Sequence, residues 1–355
     1  MQARDIIVIG ASAGGVEAVS RLAAGLPADL PAAVFVVVHF PETSTSVLPQ
    51  ILSRSGPLPA HHAEDDEPIL PGRIYVAEPG AHLMLNHGRV RCIRGPRENR
   101  HRPAIDPLFR TAARAYGPRV AGVILSGTLD DGTAGLREVK RNGGLAVVQS
   151  PASALYTGMI ESALAHVEVD HVAPLAELPG LLAGIAAPSG RHEVPAMQDT
   201  DRIDPSAADN DPLARDSVGA DAPPSAFTCP DCHGTLFEVH EGGLKRFRCR
   251  VGHGFTPDIL LSVQGEALEA ALWTALRSLE EHAALARRLA AYAARRVHRR
   301  SASTFTEQAI DAEHHADVIR QVLHGGGYAS GRESTVTAAI EAEGIAGLES
   351  RSAAG

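Results

Sequence analysis

The chain has 355 residues, room for about two domains plus a further segment at roughly 150 residues per domain. Its 33 Lys and Arg stand against 42 Asp and Glu, a net charge of −9, and 44% of residues are hydrophobic. A sizeable core can form, and an acidic chain has no long-range field to draw in nucleic acid. Four cysteines are too few for a disulfide scaffold. The N-terminus lacks the charged and apolar regions of a signal peptide. No uninterrupted apolar run approaches about 18 residues. These features predict a cytoplasmic protein with no membrane insertion and no nucleic-acid partner.

Taken in chain order, Ile6–Ile9, Ala33–Val38, Ala121–Leu125 and Leu145–Val148 read as buried strands, because they are continuously apolar and bounded by turn residues. Helical patterns at 15–25, 45–54, 105–116, 132–140 and 174–186 fall between or after them. That alternation predicts an α/β fold, a doubly wound and mostly parallel sheet over residues 1–187. Residues 57–94 break the rhythm. Short pieces such as Arg73–Val76 and His82–Leu85, with turns at Pro71-Gly72 and Asn86-His87-Gly88, predict an antiparallel insertion. Residues 188–225 are rich in Pro, Asp, Ala and Ser and read as a disordered acidic linker. Seven Asp and two Arg between Asp199 and Asp221 place −5 of the net charge there. A Cys/Gly/aromatic module follows at 226–257. Leu and Ala at helical spacing then predict an α-helical hairpin at 258–325, and 326–355 reads as a flexible tail.

The turn Gly10-Ala11-Ser12-Ala13-Gly14-Gly15 sits where the first strand meets a helix, the sheet edge at which open α/β folds place their sites. Three readings of Ser12 stay open on this segment alone: a helix N-cap, part of a phosphate-binding loop, or a nucleophile. The phosphate reading leads to an alternative, non-enzymatic function as a nucleotide- or phospholigand-binding signalling scaffold. His39 ends the second strand, and Asp130-Asp131 follow the Ala121–Leu125 strand at a further strand-to-helix turn. Three strands delivering Ser, His and Asp to one edge is what a serine hydrolase needs.

These segments resemble the catalytic domain of the chemotaxis protein-glutamate methylesterase (CheB-type) family. The resemblance rests on Gly10–Gly15, on His39, on Asn99-Arg100-His101-Arg102-Pro103-Ala104-Ile105-Asp106 and on Gly127–Gly135, in that order over about residues 4–187. It implies Ser12 as nucleophile, His39 as general base and Asp131, rather than Asp130, as the carboxylate that orients His39. It implies ester hydrolysis on methylated chemoreceptor-like proteins, with glutamine deamidation as a related activity and no cofactor for catalysis. The backbone at Ala13 and Thr128 is the oxyanion candidate. The family often has Thr where this chain has Ala13. With the catalytic segment starting near Arg4, no receiver domain is expected in cis.

Cys229-Pro230-Asp231-Cys232 and Cys249-Arg250-Val251-Gly252-His253 have spacing close to that of a structural zinc site. The expected ligands are Cys229, Cys232, Cys249 and His253, with His233 and His240 near enough to compete for the fourth place. Cys92 is expected only to pack. The arginines from Arg287 to Arg300 read as a solvated helix face, and the C-terminal module as a docking site for a signalling partner.

Overall fold

The computed structural model describes residues 4–42, 44–186, 222–241 and 243–325. The chain divides into two compact units, Met1–Ile259 and Leu260–Gly355. The first unit begins with β1 (Ile6–Ala11), α1 (Gly15–Gly25), β2 (Ala33–Val38) and α2 (Leu48–Ser55). Short strands β3 (Ala60–His62) and β4 (Ile74–Val76) precede β5 (His82–Asn86) and β6 (Arg89–Ile93). Then come α3 (Ile105–Tyr116), β7 (Val120–Ile124), α4 (Thr133–Arg141), β8 (Leu145–Gln149), α5 (Gly158–His166), β9 (His171–Ala173) and α6 (Leu178–Ala186).

Seven strands form one sheet in the order β3-β4-β2-β1-β7-β8-β9. Every pairing in it is parallel. Successive side chains of a strand point to opposite faces, and helices cover both faces here, so the inner strands β1, β2 and β7 are apolar throughout. Ile6, Val8, Phe35, Val37, Ile124 and Val148 pack with Leu108, Phe109 and Leu136 on one face. Ile7, Ile9, Val34, Val36, Val123 and Val147 pack with Val19, Leu22 and Leu52 on the other.

The expected antiparallel insertion at 57–94 is corrected in part. Its strands β3 and β4 join the main sheet in parallel, with Val34 facing Ile74. Only β5 and β6 form a separate antiparallel pair. Ile74, Tyr75 and Val76 are all buried against the β2 edge. A strand of three residues is too short to show whether its period is that of a one-sided or a two-sided sheet.

The end of this unit is a four-stranded sheet of β10 (Pro224–Thr228), β11 (Thr235–Glu241), β12 (Leu244–Cys249) and β13 (Gly254–Phe255). It lies against the 97–106 segment of the same unit, where Asn99 N–H donates to the Gly254 carbonyl at 2.8 Å. The linker expected at 188–225 falls outside the described residues up to 221, and the tail at 326–355 falls wholly outside them.

Helix α7 (Pro257–Arg295) runs into the second unit, which also holds α8 (Arg299–Gly325). Arg287 pairs with Glu313 at 2.7 Å and Arg320 with Glu280 at 2.7 Å, a register of opposite chain directions. Ala283, Ala286 and Ala290 are buried, as are Ala309, Ala312 and Ala316. The sequence holds no unbroken apolar run of membrane length, but average composition gives a different measure. By length and composition α7 is apolar enough to cross a bilayer, with a mean hydropathy of 1.2 over its most apolar stretch. Its apolarity comes from many alanines and leucines spread between glutamates, which a search for unbroken runs passes over.

Candidate active site

The sheet order reverses its direction of travel at β1, which has β2 on one side and β7 on the other. The crevice of such a sheet opens at the carboxyl ends of those strands. Ala11 pairs with Val38 and Gly10 with Ile124, so the residues just beyond these pairs meet at one edge. Ser12 follows β1 and His39 follows β2. Asp131 stands two residues before α4.

His39 Nδ1 lies 3.1 Å from Ser12 Oγ, and His39 Nε2 lies 2.8 Å from Asp131 Oδ2. A carboxylate accepts, so Nε2 carries the proton and Nδ1 presents its lone pair to the serine hydroxyl. Ser12 is not the helix cap. That position is Gly14, in a left-handed conformation with φ 71°, with no side-chain capping bond. The Ser12 side chain is thereby left to His39.

Asp131 is held from several sides. Its Oδ2 also accepts Ile105 N–H at 2.7 Å, and its Oδ1 accepts Asn99 Nδ2–H at 2.8 Å. Burial works to raise the Asp131 carboxyl, but the bonds from His39 and Ile105 outweigh it and hold the group well below the usual carboxylate range. Asp106 Oδ1 accepts the N–H groups of Gly132 (3.1 Å) and Gly135 (2.7 Å) at the start of α4. Gly132 has φ 96°, a conformation that side chains disfavour, and this aims its N–H at Asp106. Asp106 Oδ2 accepts from Asn99 at 3.1 Å and from Arg246 at 2.6 Å.

His101 stacks on His39 with ring centroids 3.6 Å apart. Burial, and then the neighbouring His39, push His101 down to about 3. It is therefore neutral at working pH and sets no fixed positive charge against an imidazolium forming on His39. Ser12, His39 and His101 open on a cleft of about 650 Å³ whose rim carries Glu42, Arg97 and Arg102.

Of the oxyanion candidates, Ala13 adjoins Ser12, and Thr128 adjoins Gly127, where an added Cβ would come within 3.0 Å of Ser12 Cβ. Ser12 N–H is taken by the Ser126 carbonyl and Gly127 N–H by the Tyr156 carbonyl. The Ala13 and Thr128 amides alternate with these committed groups. Sequence reasoning assigned no role to Asn99, His101, Asp106 or Arg246. The first three lie in the quoted Asn99–Asp106 stretch. Arg246 gave no signal at all.

Asp130 has a different partner and accepts the Thr256 hydroxyl at 2.9 Å. Burial pushes its carboxyl up to about 7, against the downward pull of that hydroxyl. The folded value thus lies above the unfolded one. The neutral form's contribution to stability is present below about pH 4 and is lost as pH rises through about 7. Asp130→Asn should therefore match the parent in thermal or urea unfolding at pH 4. At pH 8 it should be more stable by about 4 kcal/mol. Equal stabilities at both pH values would refute the assignment.

The sulfurs and imidazole of Cys229, Cys232, Cys249 and His253 gather with all ligand atoms within 4.8 Å of one another. Cys232 and Cys249 Sγ are 3.6 Å apart, and Cys249 Sγ is 3.5 Å from His253 Nδ1. Tetrahedral zinc with bonds of about 2.0–2.3 Å gives ligand separations of this size, so the donor set fits a zinc ion. His233 and His240 are not in this group. Cys92 Sγ donates to the Ala63 carbonyl at 3.3 Å, and burial raises its thiol to about 12, so it is inert at neutral pH.

Residues 7–182 match the family model described as CheB methylesterase. The chain carries a CheB methylesterase domain. Over 183 residues it is 40% identical to a Geobacter metallireducens protein named protein-glutamate methylesterase/protein-glutamine glutaminase 1, covering 50% of each chain. Over 178 residues it is 38% identical to a like-named Anaeromyxobacter dehalogenans protein, covering 50% of this chain and 52% of that one. The CheB methylesterase catalytic domain of Thermotoga maritima, a crystal structure, aligns with 31% identity and a TM-score of 0.49, over 52% of this chain and 99% of that one. The chain spans about half the length of the curated relatives it matches. The CheB methylesterase domain holds all of the Ser12, His39 and Asp131 geometry above. The matched segment ends before the cysteine-bearing strands β10–β13 begin.

Proposed function

We propose that the chain is a protein-glutamate methylesterase that acts on methyl-esterified chemoreceptor-like proteins in chemotaxis-type signalling. The observation that carries this is the Ser12–His39–Asp131 hydrogen-bond chain at the crevice of a CheB methylesterase domain. Ser12 Oγ attacks the ester carbonyl carbon as His39 Nδ1 takes its proton. Asp131 holds the imidazole and balances the imidazolium. The tetrahedral oxyanion is held by the amides of Ala13 and Thr128. Collapse breaks the bond to methoxide, which leaves as methanol with the proton from His39. Water, deprotonated by His39, then cleaves the acyl-serine to give the glutamate carboxylate and restore Ser12. The same steps on a glutamine side chain release ammonia in place of methanol, which agrees with the paired activities in the relatives' names.

The test is methanol release from a methyl-esterified receptor signalling domain. Release by the full chain and none by Ser12→Ala supports the reading. Release that survives the substitution refutes it.

Residues 226–257 form a zinc module, with Cys229, Cys232, Cys249 and His253 as ligands, followed in the chain by a helical hairpin at 258–325 that offers a docking face for a signalling partner. The place of action is the cytoplasm, where such receptor domains lie. Four protein ligands leave no open position, so the ion supplies folding energy rather than chemistry. A chelator-free preparation is expected to hold about one zinc per chain, and stripping it should lower the melting temperature. Far less than one zinc, with no change on chelation, would overturn the metal assignment.

A further inference from the structure

The cysteine-bearing strands do more than pack beside the hydrolase sheet. Strand residues two apart share a face, which puts Arg246 and Arg248 of β12 on one side. Both side chains are buried, at 0% and 1% exposure, although neither lies in the segment that matches the CheB methylesterase model. Arg248 donates to Glu98 at 3.0 Å and also pairs with Glu241. Arg246 reaches deeper. Its Nη1 donates to Asp106 Oδ2 at 2.6 Å and its Nη2 to Asn99 Oδ1 at 3.0 Å. Asn99 in turn donates through Nδ2 to Asp131 Oδ1 at 2.8 Å. Two hydrogen bonds thus link Arg246 to the carboxylate that orients His39.

The loop being held needs holding. Asn99 and Arg100 have φ of 51° and 69°, two successive non-glycine residues in the left-handed region. Such a conformation persists where the surroundings impose it. Here the same strands supply the clamp twice, through Gly254 to the Asn99 backbone and through Arg246 to its side chain. The clamp also fixes an otherwise ambiguous group. With Oδ1 of Asn99 accepting from Arg246, its Nδ2 must face Asp131 and Asp106.

The geometry points to Arg246 as a positioning residue for the Ser12–His39–Asp131 site, acting through Asn99, so that the cysteine-bearing module completes the hydrolase site of its own chain. This rests on the hydrolase reading above.

The test uses the full chain with Arg246→Lys and Arg246→Met. Lysine keeps a cation for Asp106 but cannot also donate in the same fixed fork to Asn99. Arg246→Lys is expected to lower kcat about three- to tenfold. Arg246→Met should lower it about ten- to a hundredfold, the scale of loss when a distant change misplaces reacting groups. KM should stay within about twofold in both, since Arg246 lies behind the cleft and does not line it. The imidazole N–H proton of His39, buried and bound to Asp131, gives an NMR signal that should shift or broaden in both variants.

Folded variants with parental kcat and an unchanged His39 signal would overturn the proposal. So would a kcat that falls only with the unfolded fraction. If Arg246→Met does not fold, Arg246→Lys decides by the same two readouts. If the parent chain hydrolyses no ester at all, the hydrolase reading fails, and the His39 signal alone decides the role of Arg246.

Discussion

Replacing Ser12 with alanine is expected to lower kcat/KM for ester hydrolysis by about ten-thousand- to a million-fold, the loss seen when a triad serine is removed. Among the described residues that line the cleft there is no second serine, threonine or cysteine. His39 Nδ1 faces Ser12, and the neighbouring ring, His101, lies flat against His39 rather than in line with the serine. Alanine fits the site without strain, since it only removes the hydroxyl. The melting temperature should therefore stay close to the parental value, and substrate should still bind. Stopped-flow or methanol-release kinetics on methyl-esterified receptor, beside a thermal melt, read both effects. A loss of less than about a hundredfold in a folded variant would mean that another group attacks the ester.

Asp131→Asn is expected to cost about ten-thousand-fold in kcat. Asp131 accepts from His39, Ile105 and Asn99, so an acceptor is wanted at every contact. An asparagine amide must turn its NH2 toward one of these donors. If it faces His39, it selects the tautomer with the proton on Nδ1, and the lone pair that should take the Ser12 proton is gone. That orientation also sets it against the Ile105 N–H, and the flipped one sets it against Asn99 Nδ2–H, so either way two donors meet in a buried place and the fold is weakened as well. Asp131 is held well below the usual carboxylate range, so the parent keeps its ionised form far below neutral pH. Parallel kinetics of Asp131→Asn and Asp130→Asn separate adjacent carboxyls that differ in role. Only the first should lose activity. Similar losses in both would place the orienting carboxylate wrongly.

The apolar runs of β1, β2, β7 and β8 were readable because a strand buried on both faces has little choice of residue. From them followed the parallel sheet and the edge where Ser12, His39 and Asp131 meet. The three-residue strands β3, β4 and β9 carried too few positions to show a period, and the first two were misjudged as part of an antiparallel insertion. The Asn99–Asp106 stretch was visible as a motif, but its work was not. The part of Asn99 depends on a left-handed backbone and on a partner 147 positions away. Arg246 was the least legible of all. Alternating cations in Lys245-Arg246-Phe247-Arg248 look like a solvated strand face, because a charge is costly to bury. Arg246 and Arg248 are buried only because Glu98, Asp106 and Glu241 arrive from elsewhere to pair with them. Pairing of that kind is a property of the fold and not of any local pattern. The value of α7 as a long apolar helix was likewise hidden, because its alanines and leucines are interrupted by glutamates.

The most direct test of the account is reaction of the full chain with a fluorophosphonate followed by peptide mass mapping. A serine activated by its own His and Asp is phosphonylated, while an ordinary surface serine is not. The predicted result is a single adduct on Ser12, absent in Ser12→Ala and formed far more slowly in Asp131→Asn. An unmodified Ser12, with ester hydrolysis continuing or with the adduct on another residue, would contradict the assignment of this site.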